Sequence, residues 1–127
     1  MDAQQELFTT IKLALEEKGY AVFDGALPPE GTAYPFIYLG EFRQTDREHK
    51  NATTGTVFPM IHVWHNSPKQ RGTVSAMLSD IKAVCRGLAT TANYSWFVRN
   101  VNARLMADNT TKAPLLHGIV EAECVFS

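Results

Sequence analysis

Between Tyr34 and Leu88 two β-type runs, separated by a polar stretch, lead directly into a long helical stripe. Phe36 to Phe42 is apolar on nearly both faces, the mark of a strand inside a sheet. Thr56 to His65 reads as the next strand, and Pro59 within it implies an edge position or a bulge. Val74, Met77, Leu78, Ile81, Val84, Cys85 and Leu88 then recur at helical spacing. Two strands followed by an amphipathic helix confine the chain to a fold in which helices pack on a sheet.

The flanks extend this pattern. Leu7, Phe8, Ile11, Ala14 and Leu15 predict a helix from Asp2 to Lys18, closed by Gly19, with Asp2 and Glu6 near its positive end. Tyr20 to Phe23 is a short extended piece, and the loop from Asp24 to Thr32 carries Pro28, Pro29, Gly25 and Gly31. Ser67 is the expected N-cap of the second helix, Pro68 its first position, and Gln70 the partner in a capping box. Two more strands are expected, Ser95 to Met106 and Leu115 to Phe126, joined by a polar loop from Ala107 to Ala113. In the last strand Leu116, Gly118, Val120, Ala122, Cys124 and Phe126 share one face. The expected fold is α+β, with two helices on one face of a mainly antiparallel sheet in the order α-β-β-α-β-β. One domain, residues 1–127, accommodates all of it.

Composition narrows the function classes. The chain is 45% hydrophobic and 20% charged with a net charge of −1, an ordinary globular balance. Nothing in that charge draws it to nucleic acid or to an anionic membrane, so neither sequence-specific nucleic-acid binding nor membrane association is expected. The N-terminal residues lack the basic and apolar regions of a signal peptide, and no apolar run reaches the ~20 residues of a membrane span. A cytoplasmic site of synthesis is the expectation. Cys85 and Cys124 form no Cys-x-x-Cys pair and read as small buried hydrophobes.

Residues with chemical potential are few. His62 and His65 have a metal-like spacing, but on a strand residues three apart point to opposite faces. One half-buried histidine and one at the strand end is the plainer expectation. His117, Glu121 and Glu123 share a strand face, where acid–base work would need a pocket and shifted pKa values. A solvated or partner-facing surface is the alternative. No nucleophile elbow, phosphate loop or dinucleotide glycine pattern occurs. No catalytic residue, metal or cofactor is therefore expected. Trp64 and Trp96 suit interface anchors, but each sits in an apolar strand, so core packing is the plainer expectation. Gln44 to Thr54 is too long for a tight hairpin turn and reads as an exposed arm. Its charges, Arg43, Arg47 and Lys50 against Asp46 and Glu48, would suit contacts with a neighbouring subunit.

Several features together resemble the small tail-completion, or tail terminator, proteins of long-tailed phages and prophages. They are the N-terminal helix, Tyr-Pro-Phe-Ile-Tyr-Leu-Gly at 34–40, the strand ending His62-Val63-Trp64, the 67–88 helix, the aspartate loop at 108 and the closing strand with His117-Gly118. The resemblance spans nearly the whole chain, with Pro59 and the 43–54 arm the places where alignment is loosest. It implies a non-enzymatic assembly role: a homo-oligomer, typically a hexameric ring, that caps the tail tube protein, stops its polymerisation and docks a head-completion or connector protein. Localisation would be the host cytoplasm during assembly and the virion tail afterwards. Competing classes are a small hydrolase using the His117 and Glu121 face, a monomeric binding module, or another neck protein.

Overall fold

The computed structural model describes residues 2–127. In chain order its elements are α1 (Ala3–Glu17), β1 (Val22–Asp24), β2 (Phe36–Glu48), β3 (Thr53–His65), α2 (Arg71–Arg86), β4 (Trp96–Asp108) and β5 (Leu115–Phe126). One five-stranded sheet has the order β1-β2-β3-β5-β4. All pairs are antiparallel except β1 with β2. The α+β class and the two-helix layer on one sheet face are therefore as expected. The correction is a fifth strand: Val22–Asp24 adds to the β2 edge in parallel, because the α1 connection returns the chain at that edge.

The core lies between the helices and one face of β2, β3, β5 and β4. Leu7, Ile11 and Leu15 from α1 and Val74, Leu78 and Ile81 from α2 meet Ile37, Leu39, Ile61, Val63, Val120 and Cys124 of the sheet. Each such aliphatic side chain contributes about 1.5–3 kcal/mol on burial. Both cysteines are free and buried, and burial pushes their thiols up to about 11 and about 12. Gly19, at φ +95°, ends α1 in a conformation that costs a side chain strain. Glu6, buried at one end of α1, accepts from the Asn93 backbone N–H at 3.1 Å and its side-chain amide at 2.6 Å. Those bonds hold its carboxyl below the usual range and fasten the loop before β4 to the helix.

One local expectation is corrected and another is resolved between its alternatives. α2 begins at Arg71, with Gln70 at its N-cap and no side-chain cap; Ser67, Pro68 and Gln70 form a preceding turn in which the Gln70 N–H reaches the Ser67 carbonyl at 3.0 Å. Pro59 lies on a central strand rather than an edge. The bulge expectation holds, because Gly40 and Glu41 of β2 oppose the single Met60 and pairing skips to Phe42 and Pro59. A matching irregularity at Asn100 and Val101 of β4 faces Ala122. Pro59, Ala122 and the two bulges thus align across the sheet, so the missing proline donor falls where the ladder is already interrupted.

The arm is also corrected. β2 runs on to Glu48 and β3 starts at Thr53, so most of the polar stretch is strand closed by a short turn, with the His49 N–H on the Ala52 carbonyl at 2.9 Å. Polarity misled here: both faces of a strand read as loop when neither is buried.

Candidate functional site

The sheet face away from the helices is open, and two regions divide it. At the end where β2 and β5 begin, loop 25–34 rises beside the sheet and encloses a groove of about 600 Å³. Tyr34, Phe36, Tyr38 and Trp64 supply aromatic surface, with Leu27 and Leu115 at its margins. The loop is tied down by the Tyr38 hydroxyl, which donates to the Gly25 carbonyl at 2.6 Å. Tyr34 and Phe36 lie with centroids 5.2 Å apart.

His62 lines the groove, and its ring is bonded to His117 behind it, an imidazole pair that sequence reasoning missed. His62 Nδ1 and His117 Nε2 are 2.8 Å apart, one ring donating to the other. His117 also stacks on Trp64 at 3.7 Å and 7°. Burial lowers the pKa of His62. His117 falls to about 4, first through burial and then through repulsion by His62, with Asp108 opposing the shift. Both shifts favour the neutral rings near pH 7, and the hydrogen bond requires that the accepting nitrogen carry no proton. His65 turns to the opposite face and is buried, so the His62–His65 spacing unites nothing, as expected for a strand. Trp96 is buried as expected, but Trp64 is half-buried on the open face, which corrects its core assignment.

His117 gives a pH prediction. Between its folded value of about 4 and the ordinary 6.5, the unfolded chain binds a proton that the folded chain refuses. Stability should fall as pH drops through that window. His117→Phe, which preserves the aromatic stack, should flatten the loss of thermal midpoint between pH 7 and pH 5. An unchanged slope in the variant would place the titration elsewhere.

The second region is charged. Arg104 donates to Glu121 at 3.0 Å, and Arg99 to Glu123 at 3.0 Å with Asn100 on its other oxygen. The His117–Glu121–Glu123 face is thus shared as expected, but each carboxylate bonds an arginine and His117 bonds His62. The exposed ion pairs contribute little to stability individually. The arm residues separate by strand alternation. Arg43 and Arg47 are on the open face, Arg43 lying 4.2 Å over the Phe58 ring. Asp46 and Glu48 are on the helix-side face, where Asp46 accepts from Gln44 at 2.6 Å and Glu48 from Thr53 at 3.1 Å. Lys50 is in the turn. Among the described residues no cluster of three or more histidine, cysteine, aspartate or glutamate side chains could hold a metal ion. Among the described residues no helix is long and apolar enough to cross a membrane.

No protein-family profile matches the chain, and no curated protein does. Solved structures do. A chain of the virion of a native gene transfer agent particle superposes with a TM-score of 0.65 and 16% identity, covering 98% of this chain and 95% of that one. A second solved chain gives a TM-score of 0.63 and 11% identity over 98% and 96%. At these identities the likeness is one of fold, and it extends from end to end: the protein has the α+β architecture of a virion-particle chain.

Proposed function

We propose that the protein is a structural component of a phage-like virion, and more specifically a tail completion protein. In this role it closes the end of the tail tube as a ring, most simply a hexamer, halts tube growth and presents the joint to a head-completion or connector protein. The observation that carries this reading is the end-to-end fold likeness to a chain of a gene transfer agent virion. The residue patterns at 34–40, 62–64 and 117–118 support it independently. An open sheet face with an aromatic groove at one end and ion pairs at the other supplies surface for partners rather than a closed pocket. The reading assigns the protein no catalytic step, metal or cofactor.

Deleting the gene should give overlong tails or tails that never join heads, seen by electron microscopy of lysates. Reversing Arg43, Arg47 and Lys50 to glutamate should impair capping while the chain stays folded, since these side chains are exposed and touch no core. Normal-length tails on infectious particles in the deletion strain would remove this function and shift weight to a monomeric binding module.

A further inference from the structure

Two strand edges on opposite sides of the sheet are open at the same level. The start of β4 is closed by its own chain, with the Trp96 N–H on the Ala89 carbonyl at 2.7 Å and the Thr91 N–H on the Tyr94 carbonyl at 2.9 Å. Beyond the bulge, from Asn102 to Asp108, the outer edge of β4 has no strand partner. Ser95 and Ser127 exchange both backbone bonds, at 2.9 and 3.0 Å, so β4 residues opposite odd-numbered β5 residues bond inward. Ala103, Leu105 and Ala107 therefore turn their N–H and carbonyl groups outward. β1 forms the other side of the sheet. The Ile37 N–H bonds the Ala21 carbonyl at 2.9 Å, which in a parallel pair leaves the Val22 and Asp24 backbone facing outward.

The registers bring these groups level. Val22 traces through Ile37, Val63 and Gly118 to Leu105, and Asp24 through Leu39, Ile61 and Val120 to Ala103. β1 runs with β2, and β4 runs against it. Two copies set side by side the same way up therefore bring β1 antiparallel to the next copy's β4. Val22 then opposes Leu105 and Asp24 opposes Ala103, each as a pair whose backbone groups face one another. The side chains agree with this register. On the helix-side face Val22 and Leu105 are half-buried apolar groups at the margin of the core. Ala103 and Ala107 are exposed there and small enough to admit a neighbour. On the open face Phe23 comes beside Arg104, in position for an arginine–aromatic contact.

Charge matches above the junction. α1 is centred over β2 and α2 over β5, so helices of neighbouring copies stand three strand spacings apart, about 14 Å. At about 100° per residue, Lys82 falls on the flank of α2 away from Asp80, which bonds the Tyr20 hydroxyl on the α1 side. Leu78 packs on Gly118, and Lys82 lies one turn nearer the Trp96 end, which sets it level with Ala103. Facing it on the next copy are Asp24, Lys12 and Glu16. Lys12 donates to Asp24 at 3.0 Å, a bond that raises its pKa with help from the Glu16 carboxylate. That trio carries one net negative charge, and Lys82 has no ion-pair partner among the described residues.

We infer that β1 and the second half of β4 are the two sides of a subunit contact: Val22–Asp24 of one copy pairs with Ala103–Leu105 of the next, and Lys82 reaches Asp24 and Glu16. The inference rests on the ring reading above and names its contact. The two sides differ, so the contact is heterologous and repeats from copy to copy until a ring closes. It also covers edge backbone that would otherwise invite unwanted strand pairing. The aromatic groove and the β2–β3 hairpin take no part in it and stay available to tube and head partners.

The test compares full-length wild type with Ala103→Pro, Glu16→Lys, Lys82→Glu, and the last two changes combined. The proline removes an N–H that points outward, so it disturbs the contact without taking a bond from the β4–β5 ladder. Sedimentation velocity reads assembly alone and on purified tail tubes, and thermal melting followed by circular dichroism verifies that each variant is folded. Ala103→Pro and each single reversal should assemble about tenfold more weakly than wild type, the scale of a lost or reversed interfacial contact. The combined variant should recover, and so should an equimolar mixture of the two single reversals, whose copies alternate in an even-membered ring. Should Ala103→Pro fail to fold, the reversals decide alone. Undiminished assembly of a folded Ala103→Pro or of either reversal, or no recovery in the combined variant, overturns this contact and leaves the ring reading standing. A wild type that stays monomeric both alone and with tubes overturns the ring reading, and this contact with it.

Discussion

Ile81→Ala is expected to lower the stability of the fold by about 2–5 kcal/mol, the cost of deleting a fully buried aliphatic group and leaving part of its volume empty. Ile81 is 0% exposed and lies in the middle of the α2 stripe, between Val74 and Leu78 on one side and Cys85 on the other. Its place on α2 is interior to the helix, so the void cannot be filled by fraying an end. Denaturant unfolding should show a lower midpoint with an unchanged slope, since the surface exposed on unfolding is nearly the same. A loss under about half a kcal/mol would mean that the stripe does not face the core.

Gly55→Ala is expected to be nearly as damaging although it adds one methyl group. A Cβ at this position would collide with the Thr45 carbonyl oxygen of the neighbouring strand and approach the Phe126 ring to 2.8 Å. Neither obstacle is the free end of a flexible chain. Thr45 is held by its pairing to Thr56, and Phe126 is 2% exposed against Tyr94 and Trp96. Overpacking of this kind costs about 1–3 kcal/mol, and a backbone obstacle places the expectation at the upper end, near 3 kcal/mol. The damage should concentrate in the outer parts of β2 and β3, so amide exchange at Thr45 and Asp46 should accelerate more than at Ile37 and Leu39. Uniform acceleration, or none, would contradict the collision.

The regular elements with one buried face were legible from residue spacing. The α1 and α2 stripes, the interior character of Phe36 to Phe42 and the alternation of Leu116 to Phe126 all have their physical cause in burial, which leaves a period in the sequence. The same period separated His62 from His65. Where burial was absent the period was absent too. The outer half of β2, with Arg43, Asp46, Arg47 and Glu48, carries polar residues on both faces and resembles a loop, yet the ladder to β3 makes it strand. β1 is too short to have a period.

The candidate site was less legible than the fold. Residue spacing joins His117 to Glu121 because both stand on β5, but its bonded partner is His62, 55 residues away in the chain. Trp64 was assigned to the core because an apolar strand carries it, and the open side of the sheet is what leaves it half-exposed over the groove. Strand order decides both. Only after β3 and β5 are neighbours do His62, Trp64 and His117 form one surface, and only then does burial favour the neutral imidazoles. The sequence alone determined where the two helices lie though not where α2 begins, which strands have a core side and which side chains of each strand share a face, since those follow from local periodicity and burial. Tertiary structure decided which strands adjoin, which edges stay free and which charges meet, because these depend on contacts between residues far apart in the chain that no local spacing records.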